Sequence, residues 1–297
     1  MSFQLNPYIT RWIAEFLSDR QQAVKIDQTL SRYSDFNTGI IQGSGLGPAL
    51  FAVMISDLKP ISDDNPLIKF ADDISILNPE NSDTELYLEL DNVKNWANRN
   101  NMCTNLSKSK EIVFRRPSPY PIIQPPALCG IERITACKIL GVQLQDDFRF
   151  TTHVNTIVSS CNQRLFLLKS LKAKGLDAKN LSNVFNAIVL GRVLYAISTW
   201  GGFINKSDTA RIDSIFKKGF KYGFTPSKKL FPDLLHEADK SLFKAVTNSN
   251  HPLHSLLPAI KKCSIATRAK NHLYPLPQVN FNNYKNSFIV RSLFNFL

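Results

Sequence analysis

The sequence predicts an α+β fold: a small antiparallel sheet with helices in the first part, then a second part that is mainly α-helical. Three observations carry this. Extended apolar runs of hairpin length, above all LIKFADDISIL at residues 67–77, fall in the first 150 residues. Beyond residue 150, apolar residues recur at helical spacing in four successive stretches. Between these regions, Arg116 to Pro126 holds five prolines, which suits a connector and neither a strand nor a helix.

A chain of 297 residues with 43% hydrophobic and 10% aromatic content can bury a proper core in one large or two ordinary domains. Its net charge of +12 is unevenly distributed. Residues 1–100 hold 8 Lys and Arg against 14 Asp and Glu, a net −6, while the remainder holds 28 against 10, a net +18. A polyanionic partner is therefore expected on the C-terminal part alone. The five cysteines, at 103, 129, 137, 161 and 263, form no CxxC pair and are odd in number. That excludes a zinc ribbon or a secreted disulfide framework and predicts a reduced intracellular compartment, nuclear or cytoplasmic. No leader-like h-region opens the chain, and no stretch is expected to reach the ~18 apolar residues of a membrane span, so a soluble protein without a membrane partner is predicted.

Trp12, Ile13, Phe16 and Leu17 recur at helical spacing and predict a short amphipathic helix over residues 8–18. Residues 23–30 and 36–41 read as two extended segments. The loop Gln42-Gly43-Ser44-Gly45-Leu46-Gly47-Pro48 comes next, leading into ALFAVMISDL, which reads as a buried helix. Glycine there permits positive φ and close approach of backbone to a ligand, and Pro48 suits a first helical turn. The loop taken alone also reads as a plain connector.

In LIKFADDISIL two adjacent carboxylates, Asp72 and Asp73, interrupt an apolar run. A buried unpaired carboxylate costs several kcal/mol, so a strand-turn-strand hairpin presenting an acidic tip to a bound cation is expected. Ser82 and Glu85 then give a capping-box pattern before a helix with Leu86, Leu90, Val93 and Trp96 on one face, ending at Asn100-Asn101. Residues 104–106 and 111–114 suggest a small hairpin, and residues 139–144 a short strand. Asp146-Asp147 reads as a turn and helix N-terminus, where carboxylates favour the macrodipole.

Four apolar stripes complete the chain: Val154, Ile157, Val158, Cys161, Leu165, Leu168; Leu181, Val184, Phe185, Ile188, Val189; Ile212, Ile215, Phe216, Phe220; and Leu234, Leu235, Ala238, Leu242, entered through Pro232. All are read as helix packing. Opposite them lie two basic clusters. One holds Arg164, Lys169, Lys172, Lys174 and Lys179; the other holds Lys217, Lys218, Lys221, Lys228 and Lys229, with Phe220, Tyr222 and Phe224 interleaved. Each reads either as a solvated lysine face or as a nucleic-acid backbone surface, and two within a +18 segment favour binding.

In this order the pieces resemble the reverse transcriptase of a non-LTR, LINE-type retrotransposon. IIQGSGLGPALFAVMISDL is similar to the loop and helix that contact template and nucleotide, and FADD to the aromatic-x-Asp-Asp hairpin that binds catalytic magnesium. Asn105, Lys108 and Ser109 resemble an Asn-x-x-Lys-Thr element, ILGVQLQDDFRFTTHV the strand and turn from palm to thumb, and LYAISTWGGF and YKNSFIVRSLFNF the C-terminal part of such polymerases.

The resemblance implies a partial polymerase palm over residues 1–115, a connector and palm-thumb strand region over 116–150, and a helical thumb with C-terminal extension over 151–297. It implies RNA-directed DNA synthesis from an RNA template, a DNA primer and dNTP, by two-metal chemistry with Mg²⁺ or Mn²⁺. Asp72 and Asp73 would be catalytic metal ligands. Gln42, Gly43, Ser44, Pro48, Phe70 and Lys108 would face nucleotide or template, and Arg164, Lys169, Lys172, Lys217, Lys218 and Lys221 the nucleic-acid backbone. The family carries a further metal-binding aspartate on a strand ahead of the helix that here begins near Tyr8, and neither Glu15 nor Asp19 matches it. An N-terminally truncated polymerase, inactive or weakly active as an isolated chain, is therefore expected, unless a complementing protein chain supplies the strand. The alternatives are a non-catalytic RNA- or DNA-binding remnant and a fragment that does not fold; nothing in the residues points to an RNA-processing maturase.

Overall fold

The computed structural model describes residues 5–36, 39–115, 123–260 and 274–297. The chain divides into two compact units, residues 1–105 and 106–297. The expected α+β mixture is present, with short two-stranded sheets and more helix than strand.

In the first unit, helix α1 spans Pro7–Leu17, capped by the Asn6 side chain accepting from the Tyr8 N–H at 2.9 Å. Its apolar face forms as the periodicity requires, yet no residue of α1 is buried. Two nested antiparallel pairs come after it: β1 (Gln21–Gln22) with β4 (Ser34–Asp35), and β2 (Lys25–Ile26) with β3 (Thr29–Leu30), turning at Asp27, where φ is +52°. The two longer extended segments expected here are thus replaced by two-residue rungs. No strand forms over the described residues of 36–41, and residues 37–38 lie outside the described set.

Helix α2 (Gly47–Met54) and a 3₁₀ turn (Ile55–Asp57) pack against hairpin β5 (Leu67–Phe70) and β6 (Asp73–Ile76), and against helix α3 (Leu86–Arg99). Ile55, Leu58, Val93, Trp96 and Ala97 form the core, with Phe51, Met54, Leu67, Ile74, Ile76 and Met102 half-buried around it. The ALFAVMISDL helix is therefore not a buried one: only one side meets this small core, and Val53 stays exposed. The capping box does not form either. Glu85 is the N-cap without a side-chain bond, because Ser82 Oγ donates instead to Asn65 Oδ1 at 2.6 Å.

Glu89, on α3, is fully buried with no cation beside it. Its carboxylate accepts from the backbone N–H groups of Ile61 and Ser62 and from Asn65 Nδ2, all near 3.0 Å, which pins the 59–65 loop onto the helix. Burial pushes its pKa up, but these hydrogen bonds outweigh that and hold it below the ordinary 4.5. Glu89→Gln would place an amide NH₂ against donors, and a loss of about 2 kcal/mol is expected from denaturant unfolding of the first unit. The Glu89 contribution is fully present above the unfolded carboxyl pKa and is lost as pH falls through the depressed folded value.

The second unit begins with β7 (Lys110–Glu111), which pairs in parallel with β8 (Glu132–Arg133). The expected hairpin of residues 104–106 with 111–114 does not form, because strand 110–111 finds its partner 22 residues later. Arg133 clamps Glu111 through both carboxylate oxygens, at 2.8 and 2.9 Å, and donates to the carbonyls of Pro125 and Pro126. That ties the end of the proline segment to strand β8; residues 116–122 lie outside the described set.

The single strand expected over 139–144 is a hairpin, β9 (Ala136–Ile139) with β10 (Val142–Gln145). Leu140 and Gly141 turn it, with φ of +46° and +88°. A Cβ on Gly141 would lie 3.2 Å from the Tyr195 ring, whose hydroxyl donates to Leu140 O at 2.6 Å. Asp146-Asp147 does form a turn, but the next helix, α4 (Thr151–Ala173), starts beyond it with no acidic residue in its first turn, so the pair does not sit on the macrodipole.

Helices α4, α5 (Ala178–Phe185), α6 (Gly191–Leu194), α7 (Ile197–Trp200), α8 (Lys206–Lys221) and α9 (Phe231–Val246) enclose the main core. The first two stripes meet the core as expected, but on α8 Phe220 is 49% exposed and Gly219 takes the inner place, against the Phe185 ring. On α9 only Leu234 of the expected stripe is buried, the other inner places going to Phe231, Phe243 and Val246 while Leu242 stays half-buried. Helices α10 (Asn282–Asn286) and α11 (Phe288–Phe296) close the unit. There Arg291 donates to both Asp239 oxygens, at 2.7 and 2.8 Å, and to the carbonyls of Asn286 and Ser198.

One stretch, Ala178–Phe203, is by length and composition apolar enough to cross a membrane, contrary to the expectation that none would be. Its buried residues Leu181, Phe185, Val189, Val193 and Ile197 repeat every fourth position. Such a stripe drifts about 40° per step on a regular α-helix, and a π turn at Asn186–Leu190 takes up part of the drift. The backbone then breaks at Ala196, with φ of +49°. A helix of this kind, one stripe buried and the axis broken, is built to pack in a protein core.

Candidate active site

Asp72 and Asp73 lie at the tip of the β5–β6 hairpin. The register pairs Phe70 with Asp73, leaving Ala71 and Asp72 as a two-residue turn in which Ala71 takes φ of +50°. Cross-strand partners share a face, so Leu67, Ile76, Lys69 and Ile74 point to the core while Ile68, Ser75, Phe70 and Asp73 point outward. Phe70 is 61% exposed beside Asp73. The carboxylates are exposed, not buried as an interrupted core strand would make them, and neither makes a hydrogen bond or ion pair among the described residues. Free carboxylate oxygens of this kind fit a hard divalent cation. Among the described residues, no group of three or more Asp, Glu, His or Cys gathers to hold a metal.

Lys69, which periodicity alone did not single out, fixes the hairpin in place. Its Nζ donates to the carbonyls of Ile55 and Leu58 at 2.7 and 2.9 Å, capping the end of the 3₁₀ turn. Burial lowers its pKa, Lys59 adds to the effect, and Asp57 opposes it. The readable signal was a lysine inside an otherwise apolar strand.

The glycine loop precedes α2 in the same unit. Gln42, Gly43 and Pro48 are exposed, and Ser44 is half-buried with its Oγ accepting from the Leu46 N–H at 3.2 Å. Gly43 has φ of +85°, so the loop uses the freedom glycine provides there. Lys108 is exposed in the turn at 106–108 of the second unit, while Asn105 closes the first, so that motif straddles the division.

The two basic clusters converge within the second unit. Lys169 Nζ stands 4.1 Å over the Tyr222 ring, and Lys172 Nζ donates to the Tyr222 carbonyl at 2.7 Å, capping the end of α8. With Lys221 and Phe224 they line a shallow cleft of about 440 Å³. Lys218 donates to Asn162 Oδ1 at 3.2 Å, while Lys217 and Lys221 are exposed without a hydrogen bond or ion pair among the described residues. Arg164 turns inward and donates to the Ile188 carbonyl, in the π turn, at 2.6 Å. Sequence spacing put all six on polar faces but could not show that Arg164, Lys172 and Lys218 already hold protein acceptors.

Residues 1–144 match the family described as reverse transcriptase (RNA-dependent DNA polymerase). The chain is 27% identical over 213 residues to the RNA-directed DNA polymerase from mobile element jockey of Drosophila funebris, covering 66% of this chain and 23% of that protein. It is 27% identical over 226 residues to the probable RNA-directed DNA polymerase from transposon BS of Drosophila melanogaster, covering 70% and 25%. A probable RNA-directed DNA polymerase from transposon X-element of the same fly is 26% identical over 204 residues, covering 64% and 22%. The chain thus spans about a quarter of the length of these relatives. No solved structure matches it. With the glycine loop, the Asp-Asp hairpin and these relatives in agreement, residues 1–144 match the reverse transcriptase family of RNA-dependent DNA polymerases, and the relatives support a reverse transcriptase of the non-LTR, LINE type.

Proposed function

We propose that this chain is an RNA-directed DNA polymerase by descent, in which Asp72 and Asp73 form one side of a two-metal nucleotidyl-transfer site and whose activity, taken alone, is weak. The observation that carries the reading is the exposed Asp-Asp hairpin tip, both carboxylates unpaired, inside the stretch that matches the family. Magnesium bound there would help deprotonate a primer 3′-hydroxyl and neutralise charge on the triphosphate. Asp72, in the turn, supplies the leading ligand and Asp73, on the outward face, assists. Phe70 offers its exposed ring beside them. The backbone of Gln42, Gly43 and Ser44, followed by Pro48, leaves room for nucleotide or template. Lys108 and the lysines at 169, 172, 217, 218 and 221, with Arg164 behind them, supply the positive field for template and primer backbone. On this reading residues 1–115 act as palm, 116–150 as connector and 151–297 as thumb with a C-terminal extension, in an intracellular setting.

Weak activity is expected from the donor set: with two carboxylates gathered and no third among the described residues, charge stabilisation of the phosphoryl transfer is incomplete. Primer extension on an RNA template with Mg²⁺ or Mn²⁺ tests this. Trace synthesis is expected, falling by at least about 100-fold in Asp72→Asn. Robust Asp72-dependent synthesis would overturn the proposed impairment, and synthesis indifferent to Asp72→Asn would overturn the site. The same lack of a third donor favours a second reading, a non-catalytic RNA- or DNA-binding remnant, identified by salt-dependent binding with no extension under either metal.

A further inference from the structure

A cavity remote in sequence from the Asp-Asp hairpin carries chemistry that the polymerase reading does not use. It measures about 290 Å³ and is lined by Phe148, Arg149, Phe203, Asn205, Asp208 and Asn283, among others. Phe148 is the unusual member. It has φ of +56°, a left-handed conformation that costs a bulky residue roughly 1–2 kcal/mol, yet its ring stays 37% exposed. Two rings lie near it: Phe114 stacks with centroids 4.6 Å apart and Phe203 lies at 6.4 Å, with planes about 30° apart in both pairs. The result is a cluster of aromatic rings, open to solvent at Phe114 and Phe148, beside a pocket with amide and carboxylate groups.

Charge narrows what the pocket can take. Its two aspartates each face an arginine, Asp147 with Arg149 at 3.4 Å and Asp208 with Arg211 at 2.9 Å, and Asp146 nearby faces Arg115 at 3.6 Å. Locally neutral, the pocket lacks the unbalanced positive charge that would centre on a phosphate. A planar, uncharged ring with polar edges suits it: one face against the exposed part of Phe148, edges against Asn283 and the amide NH₂ of Asn205, whose Oδ1 already accepts from the Asp208 N–H at 2.7 Å. Arg149, its side chain 69% exposed at the rim, can exchange Asp147 for an adjoining phosphate. We propose that this pocket takes one unstacked nucleobase of single-stranded nucleic acid, with Phe148 as the stacking platform. Ring stacking of this kind tolerates any base sequence. The inference rests on the nucleic-acid-binding reading above and adds a base contact to its backbone contacts.

The test uses the full chain and two labelled single strands of equal length and charge, oligo(dT) and an abasic strand, in fluorescence anisotropy. The wild type should bind oligo(dT) more tightly, and Phe148→Ala should weaken that binding by roughly 10-fold, about 1.4 kcal/mol, while leaving the abasic strand unchanged. Phe166→Ala, which removes a 72%-exposed ring elsewhere on α4, should change neither. Equal affinity of the wild type for both strands, or equal losses for both in Phe148→Ala, would overturn the proposal. The lysines are read separately: Lys217→Ala with Lys221→Ala should reduce the salt slope by about 0.7 per lysine on either strand. If they do so while Phe148→Ala is inert, backbone binding stands and the base pocket falls. If the wild type binds neither strand, both fall. Should Phe148→Ala unfold, Phe148→Trp decides: its added fluorescence must be quenched by oligo(dT) and not by the abasic strand, and absence of that difference overturns the proposal.

Discussion

Arg291→Ala is expected to lower the stability of the 106–297 unit by about 3–5 kcal/mol, the usual cost of removing one partner from a buried ion pair. The size reflects the groups left behind. Asp239 is 2% exposed, and without the guanidinium its carboxylate has no counter-charge, while the Ser198 and Asn286 carbonyls lose their donor. Three elements would loosen together, since Arg291 on α11 reaches α9 through Asp239 and α7 through Ser198. Hydrogen exchange of the α7, α9 and α11 amides under increasing urea measures the loss. Arg291→Lys should recover little, because a point charge cannot reproduce the planar fork. The double variant Arg291→Ala with Asp239→Ala should be less destabilised than Arg291→Ala alone, because no buried charge is stranded. If the double variant were the worse of the two, the pair would not be the source of the effect.

The second large effect is a pH dependence set by His153. Its ring is buried at the start of α4; Nδ1 accepts from the Gln143 N–H at 3.3 Å and the edge meets Trp200 with centroids 5.1 Å apart. Nε2 therefore carries the proton of the neutral ring and is buried without an acceptor among the described residues. Burial, helped by the charge of Arg192, lowers its pKa from 6.5 to about 4. In that window the unfolded chain binds a proton and the folded one does not. Stability from the neutral ring is therefore complete above pH 6.5, declines as pH falls, and is gone below about 4, a total of roughly 3 kcal/mol. Denaturant midpoints of the second unit from pH 7.5 to 4 should trace this decline. His153→Gln keeps an acceptor for the Gln143 N–H and should flatten the curve over the same range. An unchanged slope would assign the dependence to other groups.

The sequence was informative wherever a repeat or a short motif determined the outcome. The stripes at Val154–Leu168 and Ile212–Phe216 became buried faces because a 3.6-residue period leaves one orientation that buries them all. The Asp72-Asp73 hairpin formed because two short apolar runs joined at a polar pair have few other ways to fold. Pairing across distance escaped. The parallel union of Lys110–Glu111 with Glu132–Arg133 leaves no local periodicity, and neither does the Glu89 clasp on the 59–65 loop. Phe148 and Phe203 stand 55 positions apart, so their meeting is invisible to spacing. Even at the hairpin, the residues predicted an acidic tip and missed Lys69, whose cationic end satisfies two carbonyls below the strand.

The clamp between Glu111 and Arg133 also bears on where this protein tolerates change in length. Both ends of the 112–131 excursion are held by the β7–β8 pair and the bidentate ion pair, so its closure is already fixed by the fold. Each doubling of a closed loop adds only about 0.6 kcal/mol of chain entropy. Sequence inserted next to Ile123, which is 97% exposed, would meet that small cost and leave both hydrophobic cores intact. That exposed position is thus the natural one in this polypeptide for a tag, a reporter or an accessory module.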